Sequence, residues 1–183
     1  KTCKQPYNAS IFNISAMSYG SLGKNAIRAL NLGAKKGKFA HNTGEGGLSP
    51  HHLRHGGDLI WQIGSGYFGC RNQQGNFDSK CFTQKAKNPS VKMIEIKLSQ
   101  GAKPSHGGIL PKEKITPEIS KIRGIPTDRD CVSPAHHTAF DNPMELLAFI
   151  KNLRKYSEGK PIGIKMSIGH ETEFMAFCHA MIK

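Results

Sequence analysis

The sequence predicts an α/β fold in which short parallel strands alternate with helices. Three apolar runs each end in Ser-x-Gly: ISAMSYG at residues 14–20, IEIKLSQG at 94–101 and IGIKMSIG at 162–169. Helical patterns of apolar residues lie between these runs. Such alternation implies a parallel sheet with helical crossovers, either doubly wound or part of a (β/α)8 barrel, and both folds carry their sites at the carboxyl ends of the strands.

The first third of the chain predicts two strand–helix units. Residues 14–20 form the first strand, after which Ser21 caps a helix that ends near Gly37. Residues 39–42 are a second short strand that opens into a glycine-rich loop. We expect a short buried helix or turn at residues 56–66 and a loop at 67–89.

The rest of the chain predicts two more units. The third strand covers residues 93–98, and a glycine- and proline-rich excursion follows at 101–117. Thr116 caps a short helix that begins at Pro117, because proline is tolerated in the first helical turn.

A second helix of this half begins at Asn142-Pro143, with Glu145 in its first turn, and ends near Gly159. The fourth strand covers residues 161–167, and an amphipathic stretch then runs through Ile182. The predicted order is therefore β-α-β-α-β-α-β-α.

Composition bounds the partners and the compartment. The 183 residues are 37% hydrophobic and carry a net charge of +13, which favours anionic partners. The basic residues are spread along the chain without interleaved aromatics, so nucleic acid is not the expected main partner. Five cysteines without a C-x-x-C motif indicate reduced thiols in the cytoplasm and no zinc or iron–sulfur site in this chain. No segment has the roughly 18 apolar residues of a membrane helix.

The glycine-rich stretch HNTGEGGLSPHH, residues 41–52, fits four kinds of structure. Its glycines suit a phosphate cradle, a metal site, a catalytic acid on a loop or a tight turn. At the end of the second strand, Glu45 is placed to act as a proton donor or acceptor. His51 and His55 have the spacing of helical zinc ligands, with Glu45 or His52 as a third, but Pro50 argues against a long helix and no metal is predicted.

Two lysines occupy matching positions on neighbouring strands. Side chains of a strand alternate between its two faces. Lys97 therefore shares a face with Glu95, opposite the aliphatic residues of the third strand, and Lys165 lies opposite the aliphatic residues of the fourth strand. Buried lysines are rare unless paired. Either Lys97 forms a structural ion pair with Glu95, or both amines face an anionic or electron-rich ligand at the strand ends. The repetition of the lysine favours the ligand.

An ordered set of motifs resembles the FMN-binding domain of glutamate synthase and of shorter glutamate-synthase-like flavoproteins. The motifs are SAMSYGSL, HNTGEGG, IEIKLSQGAKPSHGG, LP, ISKIRG, SPAHH and IGIKMS. The resemblance implies a (β/α)8 barrel that carries FMN at the strand ends. It also implies an oxidoreductase that makes glutamate by reducing 2-iminoglutarate, formed from 2-oxoglutarate and ammonia, with reduced FMN.

The resemblance also implies roles for residues. Glu45 and Lys97 match catalytic positions of the family. The cofactor positions matched are Ala16, Met17, Ser18, Thr43, Lys97 and Lys165. A lysine beside the flavin ring stabilises its reduced, anionic form. Lys103 and Arg123 match positions that hold substrate carboxylates, which arginine can bind through two hydrogen bonds. Ile109 stands where classical glutamate synthases have glutamine, so one polar contact to the substrate is missing.

About four strand–helix units are visible, against eight in a complete barrel of typically about 250 residues. We therefore expect residues 1–183 to be the N-terminal half of the barrel domain, with the family's last strands and iron–sulfur cysteines beyond Lys183. The expected partners are a small-molecule substrate and either the rest of the barrel or another chain. The alternatives are a non-catalytic truncated remnant or assembly fragment of the same family and, third, a basic anion- or nucleic-acid-binding α/β module.

Overall fold

The computed structural model describes residues 3–99 and 107–182 and shows a mixed α/β fold. The elements in chain order are α1 (Lys24–Gly37), β1 (His41–Asn42), α2 (Pro50–Leu53), β2 (Leu59–Ile63), α3 (Ser79–Ala86), β3 (Val91–Lys97), β4 (Ile109–Leu110), a 3-10 helix (Lys112–Lys114), α4 (Pro117–Arg123), β5 (Cys131–Val132), α5 (Pro143–Tyr156), β6 (Ile162–Lys165) and α6 (Glu171–Ile182).

Four strands form a parallel sheet whose spatial order, β1-β2-β3-β6, follows the chain. Ile14 adds an isolated parallel bridge to His41 on the outer side of β1. Because each crossover leads to an adjacent strand, the sheet fits a partial α/β barrel. The strands β4 and β5 form a separate antiparallel pair.

The two faces of the sheet differ in chemistry. Side chains from β2 and β3 pack with α3 and α5 in the larger core cluster, which includes Trp61, Phe82, Ile94, Ile96 and Leu153, all fully buried. The opposite face is polar, since the Glu95 carboxylate accepts hydrogen bonds from Asn42 (2.9 Å) and Gln62 (2.6 Å). The alternation predicted for the third strand is confirmed.

A second core cluster joins the end of the first predicted strand to α1 and α4. Its buried members include Tyr19, Ile27, Phe68, Leu110 and Ile119. This cluster fixes the segment around residues 15–22 over the carboxyl ends of the sheet strands.

The predicted helix starts at residues 117 and 143 are confirmed. The Thr116 side chain accepts a hydrogen bond from the Ile119 amide, and the Asn142 side chain accepts one from the Glu145 amide. The predicted cap of the first helix is wrong, because Gly23 rather than Ser21 precedes α1.

Three predicted segments need correction. Residues 14–20 form only isolated bridges, from Ile14 to His41 and from Tyr19 to Leu22, because the chain bends into the second core cluster. Residues 56–66 contain the strand β2 rather than a helix or turn. Four of its five residues are buried, so LIWQI lacks the apolar–polar alternation of a half-buried strand. Residues 67–89 contain α3, which Asp78 caps through the amides of Lys80 and Cys81.

Candidate active site

A cavity of about 350 Å³ opens at the carboxyl ends of the parallel strands. Six of the predicted catalytic, cofactor-binding and substrate-binding residues line it: Ala16, Ser18, Glu45, Lys97, Arg123 and Lys165. They come from segments far apart in the chain, and the parallel sheet brings them together because all its strands end at the same edge. Beside this edge, the hydroxyls of Ser99 and Ser167 lie 3.1 Å apart.

Glu45 and Lys97 form an ion pair inside this cavity. Lys97 Nζ lies 3.3 Å from Glu45 Oε2, and their side chains are 12% and 17% exposed, respectively. Glu95 instead bonds to Asn42 and Gln62 on the neighbouring strands. Lys97 therefore pairs with the loop carboxylate and not with the carboxylate of its own strand.

Close glycine contacts explain how Glu45 reaches the cavity. Gly44 has φ +67°, and a Cβ at this position would lie 2.7 Å from the Ser18 amide nitrogen. A Cβ at Gly64 would lie 2.5 Å from Glu45 Oε2, and one at Gly108 would lie 2.8 Å from Oε1. The glycine-rich loop is thus a tight turn that places a carboxylate between two other glycine positions.

Two more cations line the cavity. Lys165 stands opposite Lys97 in the strand register. Arg123 is only 5% exposed, and its Nη2 donates to the Tyr19 carbonyl at 3.2 Å. Among the described residues, Arg123 Nε has no hydrogen-bond partner and no carboxylate lies within ion-pair distance of the guanidinium.

Charge in the cavity is therefore unbalanced. Burial lowers the pKa of Arg123 from its ordinary value, but an arginine stays protonated in proteins. Two lysines and one arginine face one carboxylate, so the described lining carries excess positive charge. Such a cavity attracts anionic ligands.

Three predicted site residues do not reach the cavity surface or cannot be placed. Met17 packs against the second core cluster, and its carbonyl accepts from His52 Nε2 at 3.0 Å. Thr43 is fully buried, and its hydroxyl donates to the Gly44 carbonyl and accepts from the Gln62 amide. Lys103 lies outside the described residues.

Sequence reasoning missed several residues that line the cavity: Ser15, Ser21, Gln62, Leu110 and Ser133. Gln62 lies on the unpredicted strand β2, and Ser133 directly follows the two-residue strand β5. Ile109, singled out by the resemblance, also lines the cavity and is 60% exposed. The only sequence signal for Gln62 was the short, mostly apolar run LIWQI, which suits a buried strand and a short helix equally well.

The histidines near the glycine-rich loop bond to other groups. His51 Nε2 lies 3.0 Å from the Glu118 carboxylate, and His51 Nδ1 accepts from Arg28. Burial lowers the pKa of His52 from 6.5 to about 4. In the described part of the chain, no three His, Cys, Asp or Glu residues are grouped as a metal site requires.

Comparison with known proteins assigns the family. The family model described as "Conserved region in glutamate synthase" matches residues 2–182. The chain belongs to this glutamate synthase family.

Three relatives illustrate the relationship. The chain is 43% identical over 174 residues to the glutamate synthase large subunit-like protein YerD of Bacillus subtilis (strain 168), which covers 94% of this chain. It is 41% identical over 160 residues to an archaeal-type glutamate synthase (NADPH) of Thermotoga sp. (strain RQ2), which covers 85% of this chain. A glutamate synthase (NADPH) large chain of Bacillus subtilis is 32% identical over 162 residues and also covers 85% of this chain.

The family members differ in length from this chain. The matched region spans 33%, 28% and 10% of these three relatives, respectively. Within residues 3–99 and 107–182, no helix is both long and apolar enough to cross a membrane.

Proposed function

We propose that the cavity is the flavin and substrate site of an FMN-dependent, glutamate-synthase-type oxidoreductase. The reaction is the reductive formation of glutamate from the imine of 2-oxoglutarate. The observation that supports this most strongly is the placement of the Glu45–Lys97 pair beside Lys165 and Arg123 in one cavity. Family membership and the location at the strand carboxyl ends agree with it.

The residues present suit an anionic cofactor. The cavity volume of about 350 Å³ is within the range of small-ligand sites, roughly 300–1,000 Å³. Lys97 and Lys165 would hold FMN from the ends of adjacent strands, and Ala16 and Ser18 line the same cavity. FMN bound in its reduced form would supply the hydride for the reduction.

The remaining side chains divide binding and proton transfer between them. Glu45 supplies the carboxylate of the described cavity lining, and this group can exchange a proton with the substrate nitrogen. Lys97 fixes that carboxylate by charge at 3.3 Å. Arg123 would bind a substrate carboxylate, since its buried guanidinium has no carboxylate partner among the described residues. Lys103, outside the described residues, is proposed as a second carboxylate ligand.

Purification of the full-length protein that carries this chain tests the proposal. Flavin absorbance measures bound FMN, and coupled assays measure glutamate formed from 2-oxoglutarate and ammonia. Arg123→Met should raise KM for 2-oxoglutarate by roughly 10- to 100-fold, the effect of lost charged hydrogen bonds. The control Arg129→Met changes a side chain that is 76% exposed and should behave like the unmodified protein.

Two results would contradict the proposal. An unmodified full-length protein without flavin, or an unchanged KM in Arg123→Met, would remove the assigned roles. Salt-dependent binding to DNA or RNA by a flavin-free protein would instead favour a basic anion-binding module.

We further infer that residues 1–183 alone are an inactive piece of this site. The strand β6 lies at the edge of the described sheet and is half-buried along its whole length. On α6, Met175 and Ile182 are 65% and 85% exposed. An open strand edge beside apolar side chains suits additional strands from the rest of the protein or another chain. Any iron–sulfur cluster would belong to that remainder.

A further inference from the structure

Two buried histidines outside the cavity each bond to a main-chain carbonyl in a segment that contributes to the cavity lining. His52 Nε2 lies 3.0 Å from the Met17 carbonyl oxygen, between the cavity residues Ala16 and Ser18. His137 Nε2 lies 2.9 Å from the carbonyl oxygen of Lys97. The two residues are 0% and 6% exposed, so both hydrogen bonds are largely shielded from solvent.

The partners of each ring fix which nitrogen carries the proton. A carbonyl oxygen only accepts hydrogen bonds, so Nε2 is the donor in both rings. Nδ1 of His52 then accepts from the Ser49 hydroxyl at 2.7 Å. Nδ1 of His137 accepts from the Tyr67 hydroxyl at 3.0 Å, and that hydroxyl in turn accepts from the Ala139 amide at 3.1 Å. Every polar atom in both chains of hydrogen bonds thus has a consistent role.

Burial keeps both rings neutral, as this arrangement requires. Desolvation lowers the pKa of His52 to about 4 and lowers the pKa of His137 from its ordinary value. His137 is also stacked on Phe140, with ring centroids 4.7 Å apart. Each ring is thereby restricted in rotation as well as in protonation.

Each histidine connects two segments that build the cavity. His52 belongs to α2, which follows the loop of Glu45, and it holds the segment of Ala16 and Ser18. His137 belongs to the loop that begins with Ser133, and it holds the end of β3 at Lys97. A shift of either ring would therefore move one cavity wall relative to another.

We propose that His52 and His137 are positioning residues of this cavity, each acting through a hydrogen bond from Nε2–H to a main-chain carbonyl. The proposal rests on the proposed function in taking the cavity as the FMN and substrate site. Neither ring lines the cavity, so neither touches a ligand directly.

Variants of His137 in the full-length protein separate positioning from packing. His137→Gln keeps an amide donor at the distance of Nε2, whereas His137→Asn keeps only a polar group at the distance of Nδ1. His137→Asn should weaken FMN binding roughly tenfold, about the effect of one lost hydrogen bond, and should lower kcat more than it raises KM. His137→Gln should restore most of both. His136→Asn, at an exposed neighbouring position, should change neither.

Ring-nitrogen NMR on unmodified, 15N-histidine-labelled protein gives a second readout that needs no ligand. His137, assigned by loss of its signal in His137→Gln, should be in the neutral Nε2–H form at pH 6.5. An Nδ1–H form, a doubly protonated ring at that pH, or equal kinetics in the Asn and Gln variants would overturn the proposal. If the unmodified protein bound no FMN, the proposed function would fail while the NMR result still decided the histidine roles.

Discussion

Replacing Gly64 with alanine should move the Glu45 carboxylate without removing it. A Cβ at this position would stand 2.5 Å from Glu45 Oε2, whereas ordinary contact begins at 3.4 Å. The same oxygen pairs with Lys97 Nζ at 3.3 Å. The carboxylate must therefore retreat by about 0.9 Å, and a misplacement of that size costs on the order of 100-fold in rate at a positioned catalytic group.

The predicted result for Gly64→Ala is a kcat for glutamate formation roughly 100-fold lower, with FMN still bound. The added methyl group should also reduce the free energy of unfolding by about 1–3 kcal/mol, as overpacking does. The assay is steady-state glutamate formation by the full-length protein, together with urea unfolding followed by circular dichroism.

Gly33→Ala is the matched control, because a Cβ there has no atom within 4 Å. Gly33 lies within α1, so the change should raise stability by up to about 1 kcal/mol and leave kcat unchanged. If Gly64→Ala retained the kcat of the unmodified protein, the carboxylate position would not matter and the role given to Glu45 would be refuted.

Four further results are expected. Glu45→Gln and Lys97→Met should each reduce turnover of the full-length protein by orders of magnitude while its circular dichroism is retained, and unchanged kinetics in both would make these residues structural. Asn142→Ala removes the cap of α5 and should lower the free energy of unfolding by about 1 kcal/mol, unlike Asn152→Ala within the same helix. The free energy of unfolding should fall as pH decreases from 6.5 towards 4, because His52 is protonated in the unfolded chain but stays neutral in the folded one, where its pKa is lowered to about 4. The slope is about 1.4 kcal/mol per pH unit for one histidine. A His52→Gln variant with the same slope would contradict this. Residues 1–183 alone should bind FMN weakly and self-associate, since barrels often hold a phosphate with their last strands; a monodisperse monomer that binds FMN with submicromolar affinity would disprove this.

Local signals predicted much of the fold. The alternation of Glu95 and Lys97 with aliphatic residues identified β3, and Thr116 and Asn142 marked true helix starts. The strand β2 was not predicted because four of its five residues are buried, and such a short, mostly apolar run occurs in both helices and strands. Whether such a run pairs with β3 is decided by long-range contacts.

The candidate site was predictable where residues follow strand ends. Glu45, Lys97 and Lys165 meet because parallel strands end at one edge. The partners of His52 and His137 were not predictable, since each bond joins residues 35 or 40 positions apart in the chain. The catalytic and binding roles of Glu45, Lys97 and Lys165 stay predictions until the variants are measured.

Anaerobic stopped-flow spectroscopy of the full-length protein measures directly whether a flavin in this cavity reduces the substrate imine. Reduced protein is mixed with 2-oxoglutarate and ammonia, and the return of oxidised-flavin absorbance is followed together with glutamate release. Flavin reoxidation should depend on both substrates and yield one glutamate per flavin, and its rate should fall by orders of magnitude in Lys97→Met. Absence of bound flavin, or reoxidation that is independent of 2-oxoglutarate and equal in Lys97→Met, would contradict it.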